Sequence, residues 1–253
     1  MYPELFKIGP FVIHSYGFML AAGFLISGLV LRGEFKRIGE VPDFAFEIIT
    51  AAAIGGILGA KINYLLEHTD YLLDDPVGMI FSGAGLVWYG GFLGGTAAVL
   101  GLIRYRKKPV WRSLDSIALL LPLGYSFGRG GCFLVGDDYG IPSNLPWALA
   151  FPEGSPPTLD RVHPTQIYEI ILSLLIFALL WSLRKKANPP GFLFFLYIFL
   201  AGVERFFIEF IRTNEKILLG FTEAQWVSIG MILIGITAAI YIKKARGSGE
   251  IKV

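Results

Sequence analysis

The chain has 253 residues and a formal net charge of +2, and 54% of its residues are hydrophobic while only 17% are charged. A soluble domain of this length carries about 25% charged residues, so the composition excludes an ordinary soluble protein and indicates a polytopic membrane protein. The small net charge argues against a nucleic-acid partner, and the single cysteine, Cys132, excludes an intramolecular disulfide.

Seven apolar segments of the chain predict membrane-spanning helices, since a helix needs about 20 apolar residues to cross the hydrocarbon core. They lie near 12–31, 44–66, 84–103, 113–135, 165–183, 192–212 and 223–242. We therefore predict an all-α membrane protein: a bundle of seven transmembrane helices that forms a single integral-membrane domain over residues 1–253. The second and third segments carry closely spaced glycines, which favour close helix packing in lipid.

The basic residues follow a pattern that predicts the orientation. The links after segments one, three and five, together with the C-terminal tail to Lys252, hold 15 of the 22 Lys and Arg, and the 67–83 loop holds none. By the positive-inside rule the N-terminus lies outside and the C-terminus in the cytoplasm. The long outer loop, 136–163, is rich in proline, which favours turns and extended chain. Its aromatic residues favour a lid or interfacial cap, with a mobile linker as the alternative.

The stretch from Gly124 to Gly140, GYSFGRGGCFLVGDDYG, places Arg129 among glycines in an apolar segment. A charged side chain at membrane depth costs several kcal/mol, so it predicts a functional role. The alternative is that Arg129 snorkels or pairs within the bundle. The flanking glycines, Gly128, Gly130 and Gly131, remove bulk, so another helix or a headgroup can approach the backbone.

The predicted orientation collects the polar residues of the segments on the outer side, which predicts a polar cavity open to the outer leaflet. They are Tyr16, Tyr89, Arg129, His163, Gln166, Glu169, Glu204, Arg205, Glu209 and Arg212. Arginine offers a planar fork of donors that matches phosphate oxygens. We predict that Arg129 and Arg212, with Arg205, hold a phospholipid phosphate. The alternative for Arg205 is a structural ion pair with Glu209.

His163 precedes the fifth segment. It could act as a base, donate a hydrogen bond or cap that helix.

These motifs together resemble the prolipoprotein diacylglyceryl transferase family over most of the chain. The resemblance rests on HSYGFMLAAGF, GGFLGG, GRGGCFLVGDDYG, LPWALAFP, HPTQIYE and RFFIEFIRTNE in this order. It implies a seven-helix enzyme of the bacterial inner membrane with its active site toward the outer leaflet and periplasm. Such an enzyme moves the diacylglyceryl group of phosphatidylglycerol onto the lipobox cysteine thiol of a prolipoprotein signal peptide and releases glycerol phosphate.

The site predicted from the residues and this resemblance has two groups. The predicted catalytic residues are Arg129, Arg212, Tyr16, Tyr89 and His163. The predicted substrate-binding residues are Arg129, Arg212, Arg205, Glu209, Gly140, Asp137, Gln166 and Glu169. We expect no cofactor and no metal, because the three histidines lie far apart and the acidic residues lack ligand spacing. The expected partners are phosphatidylglycerol, the prolipoprotein signal peptide and membrane lipids, without nucleic acid.

Four positions depart from the family pattern, whose signature usually reads G-R-x-G-N-F-x-N-x-E. Cys132 and Val135 replace the two asparagines, Asp137 replaces the glutamate, and Tyr89 stands where a histidine proposed as a base is often found. Tyrosine, with an unperturbed pKa of about 10, is a poor base but a good donor. The base is then another residue, the substrate thiolate formed in place, or Tyr89 with a lowered pKa.

Two alternatives for the function of the protein stay open. One is a divergent paralogue with another donor or acceptor, and the other is a lipid-binding or transport protein that catalyses no reaction.

Overall fold

The computed structural model describes residues 1–9, 11–81, 87–186 and 189–247, and within them the chain is mostly helical. The helices are α1 (Ser15–Ile38), α2 (Phe44–Glu67), α3 (Thr69–Asp74), α4 (Pro76–Phe81), α5 (Trp88–Tyr105), α6 (Val110–Ala118), α7 (Leu121–Val135), α8 (Thr165–Leu183), α9 (Phe192–Ile208) and α10 (Glu223–Gly247). The strands form three antiparallel hairpins: β1 (Glu4–Ile8) with β2 (Phe11–His14), β3 (Leu149–Phe151) with β4 (Thr158–Val162), and β5 (Lys216–Leu218) with β6 (Phe221–Thr222).

Five helical stretches among the described residues are long and apolar enough to cross a membrane. They are Ser15–Ile38, Phe44–Glu67, Val110–Val135, Thr165–Leu183 and Glu223–Ile242. The predicted class, a helical multi-pass membrane protein, is confirmed at this level. The other two predicted segments correspond to α5 and α9, which are shorter, with 18 and 17 residues.

The predicted segment boundaries match closely at α2 and α8 and are wrong at two places, in the first and sixth segments. Residues 12–14 belong to strand β2, so the first helix begins only at Ser15. The predicted segment 113–135 falls within the single candidate span Val110–Val135. Its regular helix is interrupted between α6 and α7, because Pro122 in the first turn of α7 has no N–H to continue a helix. The segment 192–212 leaves the α-helix after Ile208, passes through a 3-10 turn (Glu209–Ile211), and becomes extended at Arg212. The predicted start of the third segment, 84–86, and the basic tail residue Lys252 lie outside the described residues.

The described chain forms two compact units. The first unit comprises Met1–Ser27 and Leu114–Val253, and the second unit is Gly28–Ser113. The extent of a single membrane domain over residues 1–253 stays a prediction.

In the second unit, α2 packs closely along α5. A Cβ added at Gly59 would overlap the carbonyl oxygen of Gly90, and one added at Gly94 would overlap that of Gly55. The close packing predicted for these glycine faces is confirmed, because only hydrogen fits between the two backbones at these positions.

In the first unit, α8 packs against both α7 and α9, and α10 packs against α9. An apolar cluster of Ala118, Leu119, Leu180 and Leu193 is buried where α8 ends and α9 begins. At the other end of these helices, where α7 and α9 finish and α8 starts, the first unit carries a cluster of ion-paired side chains that includes Arg129, Glu169 and Arg205.

The beginning of α9 is capped by a side chain from another helix. Asp115 of α6 accepts hydrogen bonds from the backbone N–H of Gly191 at 2.6 Å and of Phe194 at 3.0 Å. It thereby satisfies N–H groups that the first helical turn leaves unpaired, and its negative charge lies at the positive end of the helix dipole.

We expect Asp115→Ala to destabilise the protein by about 1–2 kcal/mol, because it removes this cap. In detergent this corresponds to a fall of about 3–6 °C in the unfolding midpoint. Asp43→Ala is the matched control, since Asp43 precedes α2 without a side-chain capping bond to the described backbone of that helix. Equal falls in the two variants would contradict the capping role.

Candidate functional site

Arg129 lies on α7 beside glycines that bring α1 close. A Cβ added at Gly131 would lie 2.8 Å from Cδ2 of Tyr16, and one at Gly130 would lie 2.7 Å from Cε of Met19. The predicted close approach of another helix is therefore confirmed at these two glycines. A Cβ at Gly128 would meet open space, so the structure gives that glycine no packing role of this kind.

Glu169, on the first turns of α8, is the centre of the charged cluster. Its Oε1 accepts hydrogen bonds from Tyr125 Oη at 2.6 Å and from Arg205 Nη1 at 2.9 Å. Its Oε2 lies 3.4 Å from Nε of Arg129 and 3.6 Å from Nη1 of Arg212. Three guanidinium groups thus surround one carboxylate that is fully shielded from solvent.

Glu209 joins the two arginines at the end of α9. Its Oε2 lies 3.0 Å from Arg205 Nη2 and 3.7 Å from Arg212 Nε, and its carboxylate is also fully buried. The ion pair between Arg205 and Glu209, given above as the alternative role of Arg205, is present in the structure. The three residues converge although Arg212 is not helical, because the 3-10 turn before it tightens the chain around Glu209.

Asp138 forms a second bridge between two of the arginines. Its Oδ2 accepts a hydrogen bond from Arg129 Nη1 at 2.6 Å, and its Oδ1 accepts one from Arg212 Nη2 at 2.6 Å. Burial alone would raise the pKa of this carboxyl, but the charges of Arg212 and Arg129 outweigh burial and lower its pKa. Asp138 is therefore ionised at neutral pH, and its ion pairs are lost only as the pH falls through that lowered pKa.

Asp137 and Gln166 hold the loop that carries Asp138. The Gln166 side-chain amide donates to the carbonyl oxygen of Asp137, and both side chains have an oxygen without a hydrogen-bond partner among the described residues. Burial raises the pKa of the Asp137 carboxyl, while a hydrogen bond from Cys132 opposes the rise. The structure thus gives Gln166, which is fully buried, a role in shaping the site.

Cys132, Asp137 and Asp138 place a thiol sulfur and two carboxylate oxygens within 4.8 Å of one another, near enough to share a metal ion. Arg129 Nη1 also lies there, 3.9 Å from the Cys132 sulfur. A metal ion would face this guanidinium charge, which argues against one. The expected absence of a metal stays a prediction.

Gly140 allows three segments to meet behind the arginines. A Cβ added there would overlap the carbonyl oxygen of Ile211 and would lie 3.0 Å from Cβ of His163. The N–H of Gly140 donates to the carbonyl oxygen of His163 at 2.9 Å, and Gly140 forms a β-bridge with Arg212. Its observed role is a close backbone approach, and direct binding of substrate by Gly140 stays a prediction.

The His163 side chain is positioned by the outer loop. Its Nδ1 lies 3.3 Å from the hydroxyl of Tyr168, which accepts a hydrogen bond from Trp147 Nε1 at 2.8 Å. Trp147 belongs to the 136–163 loop, which contains the β3–β4 hairpin and, as predicted, no helix among its described residues.

We expect Tyr168→Phe to lower kcat by about tenfold with little change in KM if His163 takes part in proton handling, because the ring loses its orienting partner. Tyr139→Phe is the control, since it removes a hydroxyl from the same loop, where it donates to the Pro156 carbonyl at 2.8 Å. Initial rates against pH would check this, and identical profiles for the two variants would contradict it.

The structure brings together most of the predicted residues but not all. Arg129, Glu169, Arg205, Glu209 and Arg212 form one contact network in the first unit. Tyr89 belongs to the second unit, where it is the second residue of α5 and its side chain is exposed. Its participation in the site stays a prediction.

Sequence reasoning missed Tyr125 and Asp138 as members of the network. Tyr125 lies four residues before Arg129, so helical spacing alone indicates that they share a face. The Arg129 guanidinium lies 4.9 Å from the Tyr125 ring centre. A cluster of three arginines in which one bridging carboxylate is partly exposed is suited to bind an anion such as a phosphate ester.

The chain matches known proteins over nearly its whole length. The sequence model of the prolipoprotein diacylglyceryl transferase family matches residues 3–241. A relative from Clostridium tetani named phosphatidylglycerol–prolipoprotein diacylglyceryl transferase is 37% identical over 243 residues, which cover 93% of this chain and 96% of the relative. Relatives of the same name from Bordetella avium and Trichormus variabilis are 34% and 35% identical, covering 98% and 96% of this chain and 96% and 90% of their own lengths. The chain therefore belongs to the prolipoprotein diacylglyceryl transferase family.

Proposed function

We propose that this protein transfers the diacylglyceryl group of phosphatidylglycerol to the lipobox cysteine thiol of prolipoproteins. Beside family membership, one observation supports this most: Arg129 of α7 and Arg212 after α9 converge on a single carboxylate, each at 2.6 Å. Two guanidinium groups aimed at one anion form a receptor for the phosphate of a glycerophospholipid.

The protein lies in the bacterial cytoplasmic membrane with seven spans, of which α5 and α9 are the two shorter ones. The N-terminus is outside and the C-terminus is cytoplasmic, in agreement with the basic links. Arg184, Lys185 and Lys186 follow the end of α8, whereas Glu169 lies near its start. The arginine cluster therefore faces the outer leaflet, from which the lipid enters sideways.

In the reaction, Arg129 and Arg212 bind the lipid phosphate and stabilise the charge that grows as it leaves. The acceptor cysteine attacks the glyceryl carbon as a thiolate, so a C–S bond forms while the C–O bond to the phosphate breaks. Glycerol phosphate departs with the electron pair of the C–O bond. Tyr16, Tyr89 and His163 orient the headgroup or handle the proton that the thiol releases.

The decisive experiment measures transfer of radiolabelled diacylglyceryl from phosphatidylglycerol to a lipobox peptide by the purified protein. A peptide with serine in place of the cysteine is the matched acceptor control. We expect label on the cysteine peptide alone. Absence of label from folded protein in native-like lipid would contradict the proposal, and label from a different phospholipid donor would assign the protein to the divergent-paralogue alternative.

A further inference from the structure

The carboxylate of Asp138 lies where the two phosphate-binding arginines converge. It contacts Arg129 through one oxygen and Arg212 through the other, at 2.6 Å in both cases. This is the two-point geometry in which a pair of guanidinium groups would hold two oxygens of one phosphate. A lipid phosphate and the Asp138 carboxylate therefore compete for the same donors.

The Asp138 carboxylate can move away from the arginines more easily than the other two carboxylates of the network. The side chains of Glu169 and Glu209 have no solvent exposure, whereas 42% of the Asp138 side chain is exposed. Water can therefore solvate the Asp138 carboxylate once it leaves the arginines. The same step would be costly for Glu169 or Glu209, because each is enclosed by the protein.

The backbone of Asp138 is anchored independently of its carboxylate. Its carbonyl oxygen accepts hydrogen bonds from Thr165 Oγ1 at 2.7 Å and from Arg212 Nη1 at 3.3 Å. The side chain can therefore rotate away while the loop stays in place. The residue has a φ of +62°, a conformation that asparagine and glycine also adopt readily.

The charge balance of the network favours exchange over simple addition. Among the groups joined by ion pairs, Arg129, Arg205 and Arg212 carry three positive charges, and Glu169, Glu209 and Asp138 carry three negative charges. The carboxyls of Asp137 and Glu204 also lie close enough to interact with these arginines. An incoming phosphodiester adds one negative charge beside Asp138, and the two anions repel each other at this distance. Departure of the Asp138 carboxylate restores the balance.

We propose that Asp138 is an internal competitor that sets the affinity of this site for phosphate esters: the lipid phosphate displaces its carboxylate, which returns when glycerol phosphate leaves. This rests on the proposed function of Arg129 and Arg212 as the phosphate-binding pair. Asp138 thereby weakens both substrate binding and product inhibition. It sets affinity and takes no part in bond formation.

The test compares Asp138→Asn with the wild-type protein in dodecyl maltoside micelles, which carry no phosphate. We expect the dissociation constant for tritiated phosphatidylglycerol, measured by scintillation proximity without an acceptor peptide, to fall about tenfold, because two partly exposed charge pairs no longer compete with the lipid. The inhibition constant of glycerol 1-phosphate, measured by its displacement of tritiated phosphatidylglycerol in the same binding assay, is expected to fall by a similar factor. Asp160→Asn, on β4 of the same loop, is the control and should leave both constants within twofold of the wild-type values.

Unchanged or weaker phosphatidylglycerol binding by folded Asp138→Asn would overturn the proposal. Asp138 would then be a residue that positions Arg129 and Arg212 for binding. If that variant does not fold, Asp138→Gly replaces it, and failure of both to fold would also overturn the competitor role. Tighter binding of the lipid alone, without tighter binding of glycerol 1-phosphate, would contradict competition for the phosphate. The binding assay separates the two proposals: tighter binding without any transferase activity would support the competitor and reject the enzyme function.

Discussion

Arg129→Ala and Arg212→Ala are each expected to lower kcat/KM for diacylglyceryl transfer by about 10³-fold, the scale expected when a donor to the developing charge is lost. Both guanidinium groups reach one anion position, since each contacts a different oxygen of the Asp138 carboxylate. In either variant, a single arginine remains to bind the departing phosphate. The measurement is the initial rate of label transfer to the lipobox peptide over a range of phosphatidylglycerol concentrations.

Lysine variants test whether the planar hydrogen-bonding geometry of the arginine guanidinium group contributes to activity in addition to its positive charge. Arg129→Lys and Arg212→Lys retain the positive charge but lose the planar two-point geometry, so we expect them to recover only part of the activity. The double variant Arg129→Ala/Arg212→Ala should lose far less than the product of the single losses, because both residues act on the same phosphate.

The control for these variants is Arg106→Ala. Arg106 makes an ion pair with Glu47 at 2.7 Å, in which the side chains are 49% and 38% exposed. Such a pair contributes little to stability, so activity should stay within about twofold of the wild-type value. The assignment of the phosphate site would be wrong if folded Arg129→Ala or Arg212→Ala protein kept full activity.

The sequence predicted the helices best where hydropathy and chain breakers agree. The predicted segment 165–183 coincides with α8, because Pro164 precedes it and basic residues follow it. The break between α6 and α7 was missed because the hydropathy is continuous across it, and only Pro122 marks the interruption. The N-terminal hairpin was missed for a similar reason, since strand β2 is as apolar as the helix that follows.

The sequence predicts those residues of the site whose positions follow from the direction of the helix that carries them. Arg129, Glu169 and Arg205 lie on three helices that alternate in direction, so topology alone places them at one end of the first unit. Asp138 was not predictable in this way, because its contacts depend on a loop backbone with a φ of +62°. Helical periodicity likewise does not predict where Tyr89 lies relative to the arginines, so its participation in the site stays a prediction.

The second large effect is expected at Glu169, where Glu169→Gln should destabilise the protein by about 3–5 kcal/mol. The variant keeps the shape of the side chain but removes the fully buried negative charge that faces Arg129, Arg205 and Arg212. Among the described residues, the ion pairs that remain to the three guanidinium groups are then those from Glu209 and Asp138. We expect the unfolding midpoint in detergent to fall by about 10 °C, whereas Glu153→Gln, in the outer loop, should leave it unchanged.

A double variant separates charge from packing in this effect. Arg205 Nη1 lies 2.9 Å from Glu169 Oε1, so Arg205→Gln removes one of the guanidinium charges that Glu169→Gln leaves uncompensated. If Glu169 acts by neutralising the arginines, Glu169→Gln/Arg205→Gln will unfold at a higher temperature than Glu169→Gln alone, with a coupling of about 1–3 kcal/mol. Strict additivity of the two single effects would contradict the charge explanation and would make Glu169 a packing residue of α8.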